Sequence, residues 1–509
     1  MILSELLIGI EYANKEIPNI EIENITTKQN EIKNNTLFIF FKGIKFNTLT
    51  ILSDIIKKKP AVIISDIELE KTADIPIIYV KNARMAYSYI MWNFCKIDCT
   101  KIKFYAVTGT NGKTTTATML FNIFSTAKIK SGFIGTGKII IGTDTVSESF
   151  YSMTTPDPDM LYPIIKRMQD AGCKRIVMEV SSHALSLFKV SPITFECAMF
   201  TNLTEEHMDF HGSMEEYFNT KLSIFRQSKS AIFNLDDEYG KKALIYSKDR
   251  CDTYSIAITN NADAIAKDIT THDFESISYI YRESREIFKI NLFTVGEYNV
   301  LNSLLATKCA LLSGIDKSIV KESFNSNRNI DGRFEIISRE PMVIIDYAHT
   351  FTALEKVLKT IKEIKKSEQK IYSVFGCGGE RDKTKRPKMA EISELHSDFS
   401  IVTSDNARGE NTSKIIAEIM SGFKKTENHV MIENRKAAIE YAIANAQKTD
   451  IILIIGKGHE RYNIDATGYH SFDERSIITD AIKEKKAAEN ENKNRASANT
   501  FYDRKVLKY

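Results

Sequence analysis

The sequence predicts an α/β protein divided into three domains. Three observations carry that expectation. The chain has 509 residues, more than one hydrophobic core usually serves. Short apolar runs alternate with helical segments in two long blocks, the pattern of mostly parallel sheets covered on both faces. A glycine-rich turn, VTGTNGKTTT (107–116), separates a strand-like run from a helix-like one, as in loops that cradle phosphate.

Composition narrows the class. Apolar residues make up 43% and charged residues 27%, as in ordinary globular proteins. A net charge of +3 gives no strong pull toward nucleic acid, and the basic residues sit in separate loops without aromatic interleaving. The cysteines at 95, 99, 173, 197, 251, 309 and 377 are scattered. Only the first two are close and no second pair completes a zinc site, so they read as reduced thiols of a cytoplasmic protein. No apolar stretch approaches the roughly 20 residues of a membrane span. The opening MILSELLIGIEYANKEI lacks a basic lead and holds Glu5; it reads as an amphipathic helix rather than a signal peptide.

In chain order, residues 1–88 form a small N-terminal α/β domain, with strands expected at TLFIFF (36–41), AVIIS (61–65) and IPIIYV (75–80). KNARMAYSYIMWNFCKIDC (81–99) is a helical connector with one apolar face. Residues 89–328 form a central domain whose strands are FYAVTG (104–109), RIVMEVS (175–181), ECAMFTN (196–202) and SAIFNLD (230–236). Residues 329–484 form a third domain with strands MVIIDYA (342–348), IYSVFGCG (371–378), FSIVTSD (399–405) and DIILIIGKG (450–458). Residues 485–509 are polar, basic and without periodicity, a mobile tail. Every polar motif follows a strand, where open sheets collect ligands.

In the glycine turn, Gly109 and Gly112 would let backbone approach phosphate oxygens, Lys113 would reach the terminal phosphates and Thr114 would offer a hydroxyl to Mg2+. The common phosphate loop wants glycine where Val107 stands, so a plain βα turn is the alternative. Glu179 in MEVSSHAL is a strand-end carboxylate suited to Mg2+ or to a helix cap. TNLTEEHMDFHG crowds Glu205, Glu206, His207, Asp209 and His211 together, which is costly unless they are solvated or bound to metal. Lys221 follows on a helix; a surface lysine is the ordinary reading. The third domain offers Arg333, Asp346, His349, Arg381, Lys383, Lys385, Arg386, Asp405, Asn406, Arg408, Lys457, His459 and Glu460 in five loops. Arginine forks suit carboxylates and phosphates, and paired acids suit an amino group, so the loops could hold a zwitterion and the far end of a nucleotide.

GTNGKTT, MEVSSHAL, TNLTEEHMDFHG, DGRFE, DYAHT, GCGGERDKTKRP, DNAR and GKGHE, in this order, resemble the Mur ligases of bacterial cell-wall synthesis, in particular their diamino-acid-adding branch. The resemblance spans about residues 100 to 475. It implies a central P-loop ATPase-like domain, a C-terminal Rossmann-like domain, and a monomeric cytoplasmic enzyme that binds neither membrane nor nucleic acid. The implied reaction is ATP- and Mg2+-dependent: the D-Glu carboxylate of UDP-N-acetylmuramoyl-L-Ala-D-Glu becomes an acyl phosphate, which a diamino acid captures as an amide. By the same resemblance Gly109, Thr110, Asn111, Gly112, Lys113, Thr114 and Thr115 hold ATP, with Asn302, Arg333 and Asp346 near its base and ribose. Lys113, Glu179, His207 and Lys221 are the implied catalytic group. Thr114, Glu179, His207 and Lys221 as a carbamate would hold metal. Thr154, Thr155, Ser181 and Lys189 match the nucleotide-sugar peptide site, and Arg381, Asp405, Asn406, Ala407, Arg408, Gly456 and Glu460 the diamino-acid pocket.

The sequence departs from the family at KQN (28–30) and NTL (47–49), where uridine contacts are usual, and at Met153, Lys189, Glu206, Phe351 and Ala407. Arg408 favours meso-diaminopimelate; Ala407, in place of the usual proline, leaves ornithine or lysine open, with Glu410 then the expected partner of Arg408. The alternatives are another Mur-type ligase, a folylpolyglutamate ligase, or a P-loop ATPase that ligates nothing.

Overall fold

The computed structural model describes residues 1–43, 48–69, 74–146, 153–284, 286–327 and 330–506, with side chains as far as 491. Its strands form three α/β sheets and one hairpin. The first sheet has four parallel strands, Asn24–Thr26, Thr36–Phe40, Val62–Ser65 and Ile77–Tyr79, in chain order. Thr36–Phe40 and Val62–Ser65 are buried throughout, as continuous apolar runs are in parallel sheets. The amphipathic helix expected at the start is a single turn, Leu3–Leu6. Gly9 in a left-handed conformation (φ +81°) turns the chain, and Ala13 N then donates to Tyr79 O at the sheet edge. The connector forms the helix Ala83–Phe94, capped by Asn82. Ser88 Oγ donates to Phe188 O, and Trp92 packs edge-on to Tyr162, tying this helix to the central sheet.

The central sheet has 11 strands. Its middle is parallel, in the order Asp252–Ala257, Ser228–Asn234, Phe195–Phe200, Lys103–Thr108, Arg175–Glu179, Ser131–Gly135. Ala264–His272 joins the parallel block, and antiparallel pairs extend both edges, through Ser276–Glu283 and Glu286–Leu292 on one side and Lys138–Ile141 and Asp144–Thr145 on the other. The strand order matters for chemistry. Lys103–Thr108 lies between Arg175–Glu179 and Phe195–Phe200, so the glycine turn, Glu179 and the acidic loop leave the sheet side by side.

The third sheet has six strands, Glu335–Arg339, Met342–Asp346, Ile451–Ile455, Ile371–Phe375, Phe399–Val402 and His429–Met431, all parallel except the first pair. Four adjacent strand ends therefore carry the loops with Asp346, Lys457, Arg381 and Arg408. The two larger sheets meet across a polar seam. Arg333 Nη2 donates to Thr114 Oγ1 (2.9 Å), His349 Nε2 lies 3.1 Å from Glu206, and Lys388 lies 3.1 Å from Glu205.

The last helix runs Glu474–Val506 and is anchored by Arg435 to Glu474 (2.6 Å), a pair withdrawn from solvent. Residues 485–506, expected without regular structure, continue that helix, so the 484/485 division falls inside it. The 88/89 division falls inside Ala83–Phe94, and 328/329 lies outside the described residues. Among the described residues no helix is long and apolar enough to cross a membrane.

Candidate active site

The glycine turn is built so that only glycine fits at two places. Gly109 has φ +142° and a Cβ there would collide with Thr201 Oγ1; Gly112 has φ +85° and a Cβ would collide with Asn302 Oδ1. Neighbouring groups pin the turn. Thr110 N donates to Asn202 O (2.9 Å), Asn111 N to Asn202 Oδ1 (3.0 Å) and Thr201 Oγ1 to Asn111 O (2.7 Å). The helix Lys113–Thr126 starts at once, presenting its first-turn amides and positive dipole end to an anion. Lys113 Nζ rests on Gly109 O (3.1 Å) and Thr110 O (2.7 Å), and burial lowers its pKa.

Glu179 is fully buried. Its carboxylate accepts from Thr114 Oγ1 (3.0 Å), Thr136 N (2.8 Å) and Thr136 Oγ1 (3.2 Å), so the helix-cap reading of Glu179 falls away. Thr155 Oγ1 donates to Glu179 O and accepts from Ser181 N, while Thr154 Oγ1 lies 3.0 Å from Thr136 Oγ1 and can donate to it. Thr154, Thr155 and Ser181 thus gather at one strand end. Lys189 is buried and paired with Asp157 (2.7 Å). Thr136 and Asp157 were not anticipated; the only signal for Thr136 is its place after the apolar run GFIG.

Lys221 is not a surface lysine. It is 1% exposed, donates to Gly109 O (2.9 Å) and sits 4.7 Å over the Tyr217 ring. Burial, then the charge of Lys113, pushes its amine well below the ordinary lysine range. His207 has a left-handed backbone (φ +59°), and burial pushes its imidazole down to about 3 despite Glu206. The crowded acidic loop divides: Glu205 is on the surface with Lys388, whereas Glu206 is 5% exposed between His349 (3.1 Å) and His207 (3.7 Å). Burial alone would raise the Glu206 pKa, but His349, His207 and Lys385 hold it well below the carboxylate range.

Thr114 and Glu179 supply the hard oxygen pair that Mg2+ prefers. Among the described residues no three His, Cys, Asp or Glu side chains gather as a metal nest. The donor set therefore suits a cation that completes its shell from phosphate and water, as Mg2+ does.

A cavity of about 140 Å3 adjoins the glycine turn, lined among others by Asn111, Asn302, Arg333, Asp346 and Tyr347. Asn302 accepts from Thr116 Oγ1 (3.3 Å), which places it under the turn. Arg333 stacks on Tyr347 (4.5 Å). Asp346 accepts from Phe334 N (2.7 Å) and Ala348 N (2.8 Å), and burial raises its pKa.

The third-sheet loops are joined by polar contacts. Asn406 Nδ2 donates to Glu460 (2.8 Å), and Lys457 Nζ donates to Asn406 Oδ1 (2.8 Å) and lies 3.9 Å from Asp405. Gly456 has φ +115°, and a Cβ there would stand 2.6 Å from Asp405 Oδ2. Arg408, also left-handed (φ +53°), donates to Gly379 O (3.0 Å) and Asn406 O (3.2 Å). Ala407, between Asn406 and Arg408, is buried. Arg381 donates to Glu380 O (3.1 Å); burial and the Arg408 charge lower its pKa. Arg381 and Arg408 thus approach each other beside Gly378, next to the linked group Asp405, Asn406, Lys457 and Glu460. Glu410 is not the partner of Arg408. It binds Arg386 at 2.9 Å, because that fully buried guanidinium needs a carboxylate.

Residues 107–310 match the Mur ligase middle domain and residues 332–458 the Mur ligase glutamate ligase domain; the chain belongs to the Mur ligase family. Its relatives are specific. It is 37% identical over 471 residues to UDP-N-acetylmuramoyl-L-alanyl-D-glutamate--2,6-diaminopimelate ligase 1 of Clostridium acetobutylicum, covering 92% of this chain and 96% of that one. It is 38% identical over 493 residues to the 2,6-diaminopimelate ligase of Clostridium perfringens, covering 95% and 100%. A solved UDP-N-acetylmuramoyl-L-alanyl-D-glutamate--2,6-diaminopimelate ligase superposes with TM-score 0.64 at 26% identity, covering 91% of this chain and 95% of that one. The ADP complex of a MurF ligase from Thermotoga maritima shares the fold (TM-score 0.59, 14% identity, 91% and 97% covered).

Proposed function

We propose that this chain joins meso-diaminopimelate to the D-Glu carboxylate of UDP-N-acetylmuramoyl-L-Ala-D-Glu, consuming ATP, as a single chain in the cytoplasm. The observation that carries the reading is the juxtaposition across the seam. A phosphate-cradling turn with Lys113 and Glu179 lies across it from loops that bring Arg381 and Arg408 together beside Asp405 and Glu460. The names of the relatives support the substrates, and Arg408 supports an amino acid with a second carboxylate. Free cysteines throughout suit a reducing compartment.

In this reading the turn amides and Lys113 neutralise the phosphates, which lets the D-Glu carboxylate approach the γ-phosphorus. ADP leaves, an acyl phosphate remains, and the amino nitrogen displaces phosphate while losing a proton. Asp405 and Glu460 hold the ammonium of the incoming amino acid; Arg381 and Arg408 hold its carboxylates. Thr114, Glu179, His207 and carbamylated Lys221 would hold Mg2+, which supplies charge neutralisation. Asn302, Arg333 and Asp346 would border the nucleoside, and Thr154, Thr155, Ser181 and Lys189 the sugar peptide.

The test is incubation of the purified protein with ATP, the UDP-dipeptide and one amino acid at a time. Tripeptide and stoichiometric phosphate are expected with meso-diaminopimelate, and Lys113→Ala should lower kcat by about a hundredfold or more. Product with ornithine or lysine but none with diaminopimelate would overturn the assignment. ATP turnover that ignores every amino acid would overturn ligation.

A further inference from the structure

In the proposed amino-acid pocket, Arg381 and Arg408 come together where two loops meet. One follows Ile371–Phe375 and carries Arg381; the other follows Phe399–Val402 and carries Asp405 to Arg408. They interlock through backbone. Gly379 N donates to Asn406 O (2.9 Å), and Arg408 Nη1 returns to Gly379 O (3.0 Å). A Cβ on Gly379 would collide with Ala407 O, and one on Gly378 would stand 3.0 Å from Arg408 Nη1. Each loop also holds a non-glycine residue in the left-handed region, Glu380 and Arg408, both with φ +53°. Such conformations are unfavourable and persist only where the surroundings impose them.

The carboxylate of Glu410, two residues after Arg408, holds Glu380 directly, whereas Arg408 N donates to Ile464 O (3.0 Å). Glu410 Oε1 accepts from Arg386 Nη1 (2.9 Å) and lies 3.2 Å from Lys383 Nζ. Its Oε2 accepts from Arg386 Nη2 (2.9 Å) and from the amide of Glu380 itself (3.0 Å). Arg386 is fully buried in the first turn of the helix Lys385–His396, and it also donates to Glu418 (2.6 Å) and Gly378 O (3.4 Å). One bidentate ion pair thus ties both loops and a helix together.

We propose that Glu410, through Arg386, is a positioning residue for the incoming amino acid. It sets the placement of Arg381 and Arg408, and so the preference for an amino acid with a distal carboxylate. The proposal rests on the pocket being the amino-acid site, as read above.

Steady-state kinetics of the full chain, with each substrate varied in turn, test it. For Glu410→Gln the KM for meso-diaminopimelate should rise about tenfold or more, while KM for ATP and for the UDP-dipeptide stay within about twofold. The preference for diaminopimelate over ornithine should shrink by a similar factor. Glu410→Asp keeps the charge that Arg386 needs but shortens its reach. It should shift the same quantities less, and it serves if Glu410→Gln fails to fold. Unchanged KM and preference in a folded variant would overturn the proposal, as would an equal rise in all three KM values. A wild-type protein that accepts no diamino acid would instead strike the reading of the pocket itself.

Discussion

Lys113 and Lys221 both donate to the carbonyl of Gly109, at 3.1 and 2.9 Å. Two ammonium groups on one acceptor repel, which adds to burial in lowering the Lys221 pKa and favours its neutral form. A neutral amine adds to CO2: the N–C bond forms, a proton leaves and an oxygen anion results. That product would turn repulsion from Lys113 into attraction, which is the physical basis of the carbamate proposed at Lys221. Enzyme equilibrated with 13C-bicarbonate should show a carbamate resonance that Lys221→Ala lacks, and the variant should lose about a hundredfold in kcat. A wild-type spectrum without that resonance would refute the carbamate. The lysine itself was legible from the family resemblance. Its withdrawal from the surface was legible only through that resemblance, because a lysine between apolar positions on a helix more often reaches solvent.

Among elements, the strand ends read most clearly. Lys103–Thr108, Arg175–Glu179 and Ile451–Ile455 are continuous apolar runs stopped by polar residues, and burial on both faces makes such runs visible in one dimension. The outer strands Ala264–His272 and Glu286–Leu292 were less legible, because exposed polar positions interrupt their apolar runs. The first helix was overread because a local apolar pattern does not reveal that Gly9 turns left-handed. The glycine turn offers the sharpest test at this scale. Gly109→Ala brings a Cβ onto Thr201 Oγ1 and within 3.1 Å of the Asn202 backbone. The strain should lower stability by about 1–3 kcal/mol and weaken ATP binding by about tenfold or more. Denaturant midpoints and calorimetry check both; an unchanged ATP affinity would mean the turn does not approach phosphate.

Across the whole molecule, the seam between the two larger sheets joins the halves of the site. Glu206 is its buried centre, flanked by the pairs Glu205–Lys388 and Thr114–Arg333. Its pKa in the folded state is depressed from 4.5. The folded chain therefore binds its proton less readily than the unfolded chain. The stability it contributes is fully present above about pH 4.5 and is lost as pH falls toward the depressed value. Glu206→Gln should flatten that acid limb, lower kcat by about tenfold, and broaden the size distribution seen by X-ray scattering with ATP and UDP-dipeptide bound. An acid limb as steep as that of the wild type would show that this pair does not hold the seam.

The sequence by itself determined the α/β class, the order of the loops and the chemistry each could offer, because strand patterning and turn residues are local signals. It marked Lys113, Glu179, Arg381, Asp405, Arg408 and Glu460 as residues that could share a site. Only the tertiary structure decided which charges pair. Glu410 lies with Arg386 rather than Arg408, Thr136 reaches Glu179 across 43 positions, and Lys221 lies 112 positions from its acceptor. Partners of that kind depend on strand order and on burial driving each charge to the nearest group that can compensate it, and no periodicity in one dimension encodes either.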